Sequence, residues 1–204
     1  MSDNSSKIIL DLCGGTGAWS KPYKDVGYDV RVITLPEHDI LDWIGMPEVY
    51  YAKDVYGILA APPCKMFSLC RTNTAAKPRD LKGAMDIVKA CLDIIWHHNY
   101  GEKGVSFWAL ENPKGMILRF LGKPWFTFQP WEYGDDYSKK TCLWGKFNAP
   151  KKTPTPLSKE SKEYQRKNKI HKFPSAKEYP GVDRSGRRAI TPAGFAKAFF
   201  KANQ

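Results

Sequence analysis

Cys64 stands directly after two prolines at the end of a short apolar run, Gly57-Ile58-Leu59-Ala60-Ala61-Pro62-Pro63. The run predicts a buried strand, and prolines at its exit end the ladder and stiffen the turn. A thiol held at such an edge suits nucleophilic attack, although most free cysteines are small core residues. Two other stretches share this layout. Leu10-Asp11-Leu12 runs into Cys13-Gly14-Gly15-Thr16-Gly17, and Ala109-Leu110 runs into Glu111-Asn112-Pro113. Together they offer a nucleophile, a carboxylic acid for proton transfer, and a loop whose glycines let a ligand approach the backbone.

The elements that must position these residues can be read from periodicity. Residues 7–12, 28–35, 106–110, 126–131 and 141–144 predict further strands. A helix is expected to start near Ala18, which gives the strand–loop–helix geometry that cradles a nucleotide-like cofactor. The clearest helix spans residues 78–99, where Leu81, Met85, Val88, Cys91, Leu92 and Ile95 make one apolar face. His97 and His98 are expected to serve its C-terminal dipole. Thr191-Pro192 reads as an N-cap followed by an N1 proline, opening a last helix with Phe195, Phe199 and Phe200 on its face. Strands alternating with helices predict an α/β fold with a mostly parallel sheet flanked by helices.

Composition narrows the functional classes. The chain has 204 residues, enough for one domain with an appendage. No apolar run approaches the ~20 residues of a membrane span, and the polar start lacks the apolar core of a signal peptide. Five cysteines without a Cys-x-x-Cys pair suggest neither a disulfide framework nor a zinc site. No metal site is therefore expected, and a reducing cytoplasm fits this usage. Residues 146–188 hold 13 Lys/Arg against four Asp/Glu, a net +9 of the chain's +11. A basic segment beside a near-neutral body, interleaved with Tyr164, His171, Phe173 and Tyr179, points to a polyanion such as nucleic acid. Residues 1–145 read as the core, 146–187 as a basic and largely irregular insertion, and 188–204 as a C-terminal helix that packs back on the core.

The glycine loop, the Pro-Pro-Cys loop and the Glu-Asn-Pro loop, in that order, resemble the motifs of the DNA cytosine C5-methyltransferases. The resemblance is closest to the small, phage-type members that lack a large target-recognition domain, and it covers about the first 145 residues. It implies a Rossmann-like fold that binds S-adenosylmethionine. Asp11, Cys13, Gly14, Gly15, Gly17, Asp39, Ile40 and Pro62 would line the cofactor site, with Trp19 against the adenine and Asn203 nearby. Cys64 would be the nucleophile and Glu111 the acid that holds the base. Lys140 is the expected basic catalytic residue. Pro63, Ser68, Arg71, Asn112, Pro113, Lys139 and Thr141 would contact the substrate.

The chain also departs from the family. Thr34 and Glu37 stand where an acid for the ribose is usual, Cys13 replaces a common Phe, and the usual Gln-Arg-Arg pattern near Lys140 is absent. Pro-Pro-Cys argues against the amino-group methyltransferases, which use Asp/Asn-Pro-Pro-Tyr/Phe. The His-x-Glu and Cys-x-x-Cys pair of the metal deaminases is missing too. The expected partner is DNA, acted on by a monomer in the cytoplasm. Two alternatives stay open. One is a methyltransferase for a single strand or a free pyrimidine nucleotide; the other is an inactive DNA-binding protein on a methyltransferase scaffold.

Overall fold

A strand covered on both sides is mostly apolar, and β1 (Ile8–Leu12) has all five residues buried, with Asp11 its one polar side chain. It lies between β2 (Asp29–Ile33) and β3 (Val55–Ala60), both parallel to it. β4 (Phe107–Pro113) pairs in parallel with β3. β5 (Phe126–Phe128) and β6 (Thr141–Lys146) close the sheet, with β6 antiparallel to both β4 and β5. The order is β2-β1-β3-β4-β6-β5. The computed structural model describes residues 4–69, 78–101, 103–168 and 173–204. Within them the protein is α/β, a six-stranded mixed sheet flanked by helices.

The helices are α1 (Lys21–Lys24), α2 (Pro47–Tyr50), α3 (Leu81–Asn99), α4 (Leu118–Leu121), α5 (Lys159–Asn168), α6 (Arg184–Ala189) and α7 (Ala193–Ala202). On one sheet face, Val88, Cys91, Ile94 and Ile95 of α3 pack with Leu10, Leu12 and Ile58, and with Ile40 and Trp43 from a short 3-10 turn. On the other face, Trp19, Tyr23, Phe107, Phe128, Phe195 and Phe199 form an aromatic layer under α7. Phe195 stacks on Phe128 at 3.8 Å, and Trp19 meets Phe199 edge-on at 5.4 Å. The start of α7 is seated closely. The Gly194 amide donates to the Asp135 carboxylate at 3.0 Å, and a Cβ at Gly194 would lie 2.0 Å from the Tyr133 carbonyl oxygen.

Several boundaries differ from expectation for local reasons. The first helix begins at Lys21 rather than near Ala18, because residues 15–20 are turns. The long helix starts at Leu81, where the Asp80 side chain accepts from the Gly83 amide. His97 and His98 do not serve their own helix end; their Nε2 atoms bond the carbonyls of Tyr50 and Val49 and tie α3 to α2.

The stretch expected to be irregular contains α5. The Ser158 hydroxyl and the Ser161 hydroxyl both donate to Asp136, which anchors the helix start to the turn before β6. Only Ser161 is buried on α5, so no apolar periodicity could announce it. The segment before it is pinned too, with the Thr153 and Thr155 amides donating to the carbonyls of Glu132 and Trp131.

Replacing Phe195 by Ala removes the centre of the aromatic layer. The expected cost is about 3–5 kcal/mol, read as a fall in the urea midpoint of unfolding with little change in slope.

Candidate active site

Strand order reverses at β1, which has β2 on one side and β3 on the other. Ligands of open α/β sheets bind outside the carboxyl ends of the strands at such a point. β1, β3 and β4 run parallel, so their carboxyl ends share one edge. Asp11, Cys64 and Glu111 all stand at it.

The Cys64 loop is held from three sides. Phe67 is buried, and its carbonyl accepts from the Met116 amide at 2.8 Å. A Cβ at Gly115 would sit 2.4 Å from that same carbonyl oxygen, so only glycine allows the approach. Arg79 donates to the carbonyls of Met66 and Ser68 at 2.7 and 2.9 Å. Ahead of the cysteine, Asn112 Nδ2 donates to the Pro62 carbonyl at 2.8 Å and locks the end of β4 to the exit of β3. Asn112 is fully buried, and its Oδ1 has no partner.

Glu111 and Lys139 face each other across this edge. Their side chains are only 12% and 8% exposed, and Nζ and Oε1 lie 4.0 Å apart. That is too long for a hydrogen bond, so each keeps capacity for a third group. Burial pushes the Glu111 carboxyl above its usual range, with the Lys139 ammonium opposing the shift. Burial likewise raises the Cys64 thiol; Lys139 and Arg188 pull it down and Glu111 pushes it up. Tyr137 also feels Glu111 and is held firmly protonated, chiefly by desolvation. Cys64 is therefore a neutral thiol at rest, beside an acid inclined to keep its proton.

The glycine loop forms a separate cradle next to it. Asp11 is fully buried, and burial raises its carboxyl to about 6 against the hydrogen bond from Ser20. The Ser20 hydroxyl donates to Oδ2, while Oδ1 has no partner. Gly14 lies directly over this carboxylate: a Cβ there would be 2.4 Å from Asp11 Cγ. Gly15 and Gly17 have positive φ, as does Cys13, which packs toward the α3 core. The folded protein binds an extra proton at Asp11 between the ordinary carboxyl range and about pH 6. This contribution to stability is lost as pH rises through that window, and a bound cation would restore it.

Other expected site residues fall elsewhere. Trp19 is turned into the aromatic layer against Phe195 and Phe199, so it is a core residue and not an adenine contact. Asn203 is buried and bonds Asn148 and the Phe199 carbonyl, closing the end of α7. Ile40 belongs to the α3 core, and exposed Asp39 caps the turn by accepting from the Leu41 amide.

Lys140 points outward; its carbonyl accepts from the Lys114 amide, and Lys139 takes the inward place expected of it. Thr141 holds the Lys139 carbonyl through its hydroxyl at 2.8 Å instead of facing a substrate. Pro62 is buried with its carbonyl taken by Asn112, while Pro63 is exposed. Ser68 is partly buried, and Pro113 pairs with Thr141 in the sheet. Arg71 lies outside the described residues.

Arg188 is a further residue near the site. The structure places it on α6 within electrostatic reach of Cys64, with a buried Nε that has no partner. The inward turn of Lys139 follows from the register of β6 against β4, which no local sequence pattern encodes. Leu143 opposes Glu111 in the ladder, so the period of two carries the Glu111 side of the sheet back through Thr141 to Lys139.

No protein-family model matches this chain, and no curated protein is significantly similar to it.

Because the Cys64 thiol is raised, its thiolate fraction at neutral pH is below that of a free cysteine. Alkylation of Cys64 by iodoacetamide, followed by mass spectrometry of the peptide, is expected to be slow at pH 7. It should accelerate with pH through a midpoint above the ordinary value of about 8.5. Lys139→Met is expected to slow the reaction further at any given pH, and Glu111→Gln to speed it.

Proposed function

We propose that the protein transfers a methyl group from S-adenosylmethionine to C5 of cytosine in DNA, through a transient bond between Cys64 and C6 of the base. The observation that carries this reading is the convergence of Cys64, Glu111 and Lys139 on one sheet edge, beside the buried Asp11 and the bare Gly14. The α/β sheet with its switch point at β1 supports the finer assignment of a Rossmann-like methyltransferase fold.

The glycine loop fits the amino-acid end of the cofactor. Unpartnered Asp11 Oδ1 suits an ammonium group, and Gly14 leaves the space for it. Asp11, the backbone of residues 14–17 and Cys13 would hold it. When bound, S-adenosylmethionine supplies an electrophilic methyl group.

Cytosine C5 is a poor nucleophile until C6 is attacked, and the chain's own residues supply that activation. Cys64 gives up its proton to solvent, and its sulfur adds to C6. The displaced electron pair is relayed through C4 to N3, where Glu111 delivers a proton; the resulting enamine is nucleophilic at C5. The raised carboxyl of Glu111 suits this acid role. Lys139 stabilises the negative charge that develops on sulfur, and its free donors suit O2 of the base. After C5 takes the methyl group, the C5 proton is released to solvent and the Cys64–C6 bond breaks. The N3 proton returns to Glu111, and the thiolate regains a proton. In a duplex the base must first leave the stack, at a cost of a few kcal/mol.

Two measurements test this. Asp11 must be ionised to hold an ammonium group, so affinity for S-adenosylhomocysteine by calorimetry should fall as pH drops through about 6. It is expected to be about tenfold weaker at pH 5 than at pH 8. Gly14→Ala should abolish it, and absence of binding by the wild type at any pH would overturn the methyltransferase reading.

The second measurement uses DNA that contains 5-fluorocytosine. Fluorine at C5 cannot leave as a proton, so Cys64 should become trapped as a covalent adduct when S-adenosylmethionine is present. Cys64→Ser should lose adduct and turnover. Glu111→Gln should retain some DNA binding and lose about 10²–10⁴-fold in rate. Full methyl transfer by Cys64→Ala would sink the mechanism.

A further inference from the structure

A second site lies away from Cys64, on the sheet face shared by Trp108, Leu110 and Trp144. The β4–β6 register sets Trp108 opposite Lys146 and Leu110 opposite Trp144, so the two tryptophans stand on the same face. There they line a shallow groove of about 560 Å³ with Lys123, Pro124, Trp125 and Gly145.

Trp125 is 57% exposed, yet its ring is fixed. It meets Phe147 edge-on at 4.6 Å, and Phe147 is itself buried against Phe199 at 5.3 Å. Trp144 is held by its indole Nε1, which donates to the Gly122 carbonyl at 3.3 Å. The floor is bare backbone, because a Cβ at Gly145 would lie 2.1 Å from the Trp108 carbonyl oxygen.

The charge around the groove has one sign. Lys123 lines it, Lys146 lies opposite Trp108 in the ladder, and neither Asp nor Glu is among the lining residues. Lys123 and Lys146 are exposed. Exposed aromatic faces beside the cations Lys123 and Lys146 match what a single nucleic-acid strand presents: stackable bases on a polyanionic backbone. A protein partner of ordinary composition would leave this rim unopposed, and duplex DNA hides the faces of its bases.

We propose that this groove is a stacking site for single-stranded nucleic acid, with Trp125 and Trp144 as platforms and Lys123 and Lys146 on the phosphates. It rests on the chemistry of the groove and is independent of the reaction assigned to Cys64.

The probe is a fluorescein-labelled 16-mer of deoxythymidine, read by anisotropy against the full chain; it contains no cytosine and cannot enter the Cys64 reaction. The wild type should bind it. Trp125→Ala, at an exposed position, should keep its circular dichroism spectrum and bind about tenfold or more weakly, as the loss of one base–aromatic stack predicts. Trp125→Phe should recover most of that loss. Lys123→Gln should lower the log–log salt slope by about 0.7, the share of one single-strand phosphate.

Unchanged affinity in Trp125→Ala overturns the proposal. So does competition by an unlabelled duplex as effective as that by the single strand. A dimer in sedimentation that Trp125→Ala dissociates, with oligonucleotide affinity intact, would make the groove an interface between copies and overturn it as well. Failure of the adduct experiment with 5-fluorocytosine would leave this result standing, and the reverse also holds.

Discussion

One buried hydrogen bond sets the geometry on which the site depends, that from Asn112 Nδ2 to the Pro62 carbonyl. β3 and β4 are neighbours, but the prolines at the exit of β3 have no amide to extend the ladder between their ends. Left alone, the two strand ends would be free to part. The Asn112 side chain replaces the missing backbone bond, and because it is fully buried, breaking it would strand a donor and an acceptor away from water. Cys64 follows Pro62 by two residues, and Glu111 precedes Asn112 by one. A single amide thus fixes Cys64 relative to Glu111, while Phe67 and Gly115 fix the loop from beyond.

Burial then sets the proton inventory. Desolvation favours the neutral form of both Cys64 and Glu111, and the nearby cations oppose it. Lys139 is shared: it lowers both groups, yet stands too far from Glu111 to bond it. Arg188 adds a second positive charge toward Cys64 from a helix at the other end of the chain. Both groups are thus pushed toward their neutral forms by burial, while the surrounding cations favour a thiolate at Cys64. Such a balance suits a group that must be nucleophilic only when a substrate closes over it.

Most of the positioning framework was legible in the sequence, because strands that end in site residues announce themselves by composition. Pro62-Pro63-Cys64, Glu111-Asn112-Pro113 and the glycine loop all fall at one sheet edge. What escaped were choices between adjacent residues and between the two faces of the sheet. Lys139 and Lys140 are chemically identical, and only the register of β6 against β4 separates inward from outward. Trp19 sits two residues past the glycine loop, close in sequence to the proposed cofactor site. Phe195 and Phe199 of α7, more than 170 positions later, claim its ring. Helix α5 escaped because its anchors are hydroxyls on Asp136, a contact no local pattern encodes.

β4 shows how much one short strand can distribute. Its seven residues alternate between faces, so neighbours in sequence serve different purposes. Phe107 and Ala109 enter the aromatic layer, and Glu111 continues that side to the carboxyl edge. Trp108, Leu110 and Asn112 take the opposite side, where the first walls the tryptophan groove, the second enters the α3 core and the third clamps the Cys64 loop. Trp108 and Glu111 are three residues apart, about 10 Å along an extended chain. A displacement of β4 by a single residue would exchange these sets, turning Glu111 into the core and Asn112 off the loop. The pairing of β4 with β3 and β6 is therefore under double constraint, from the packing of both layers and from the chemistry at its end.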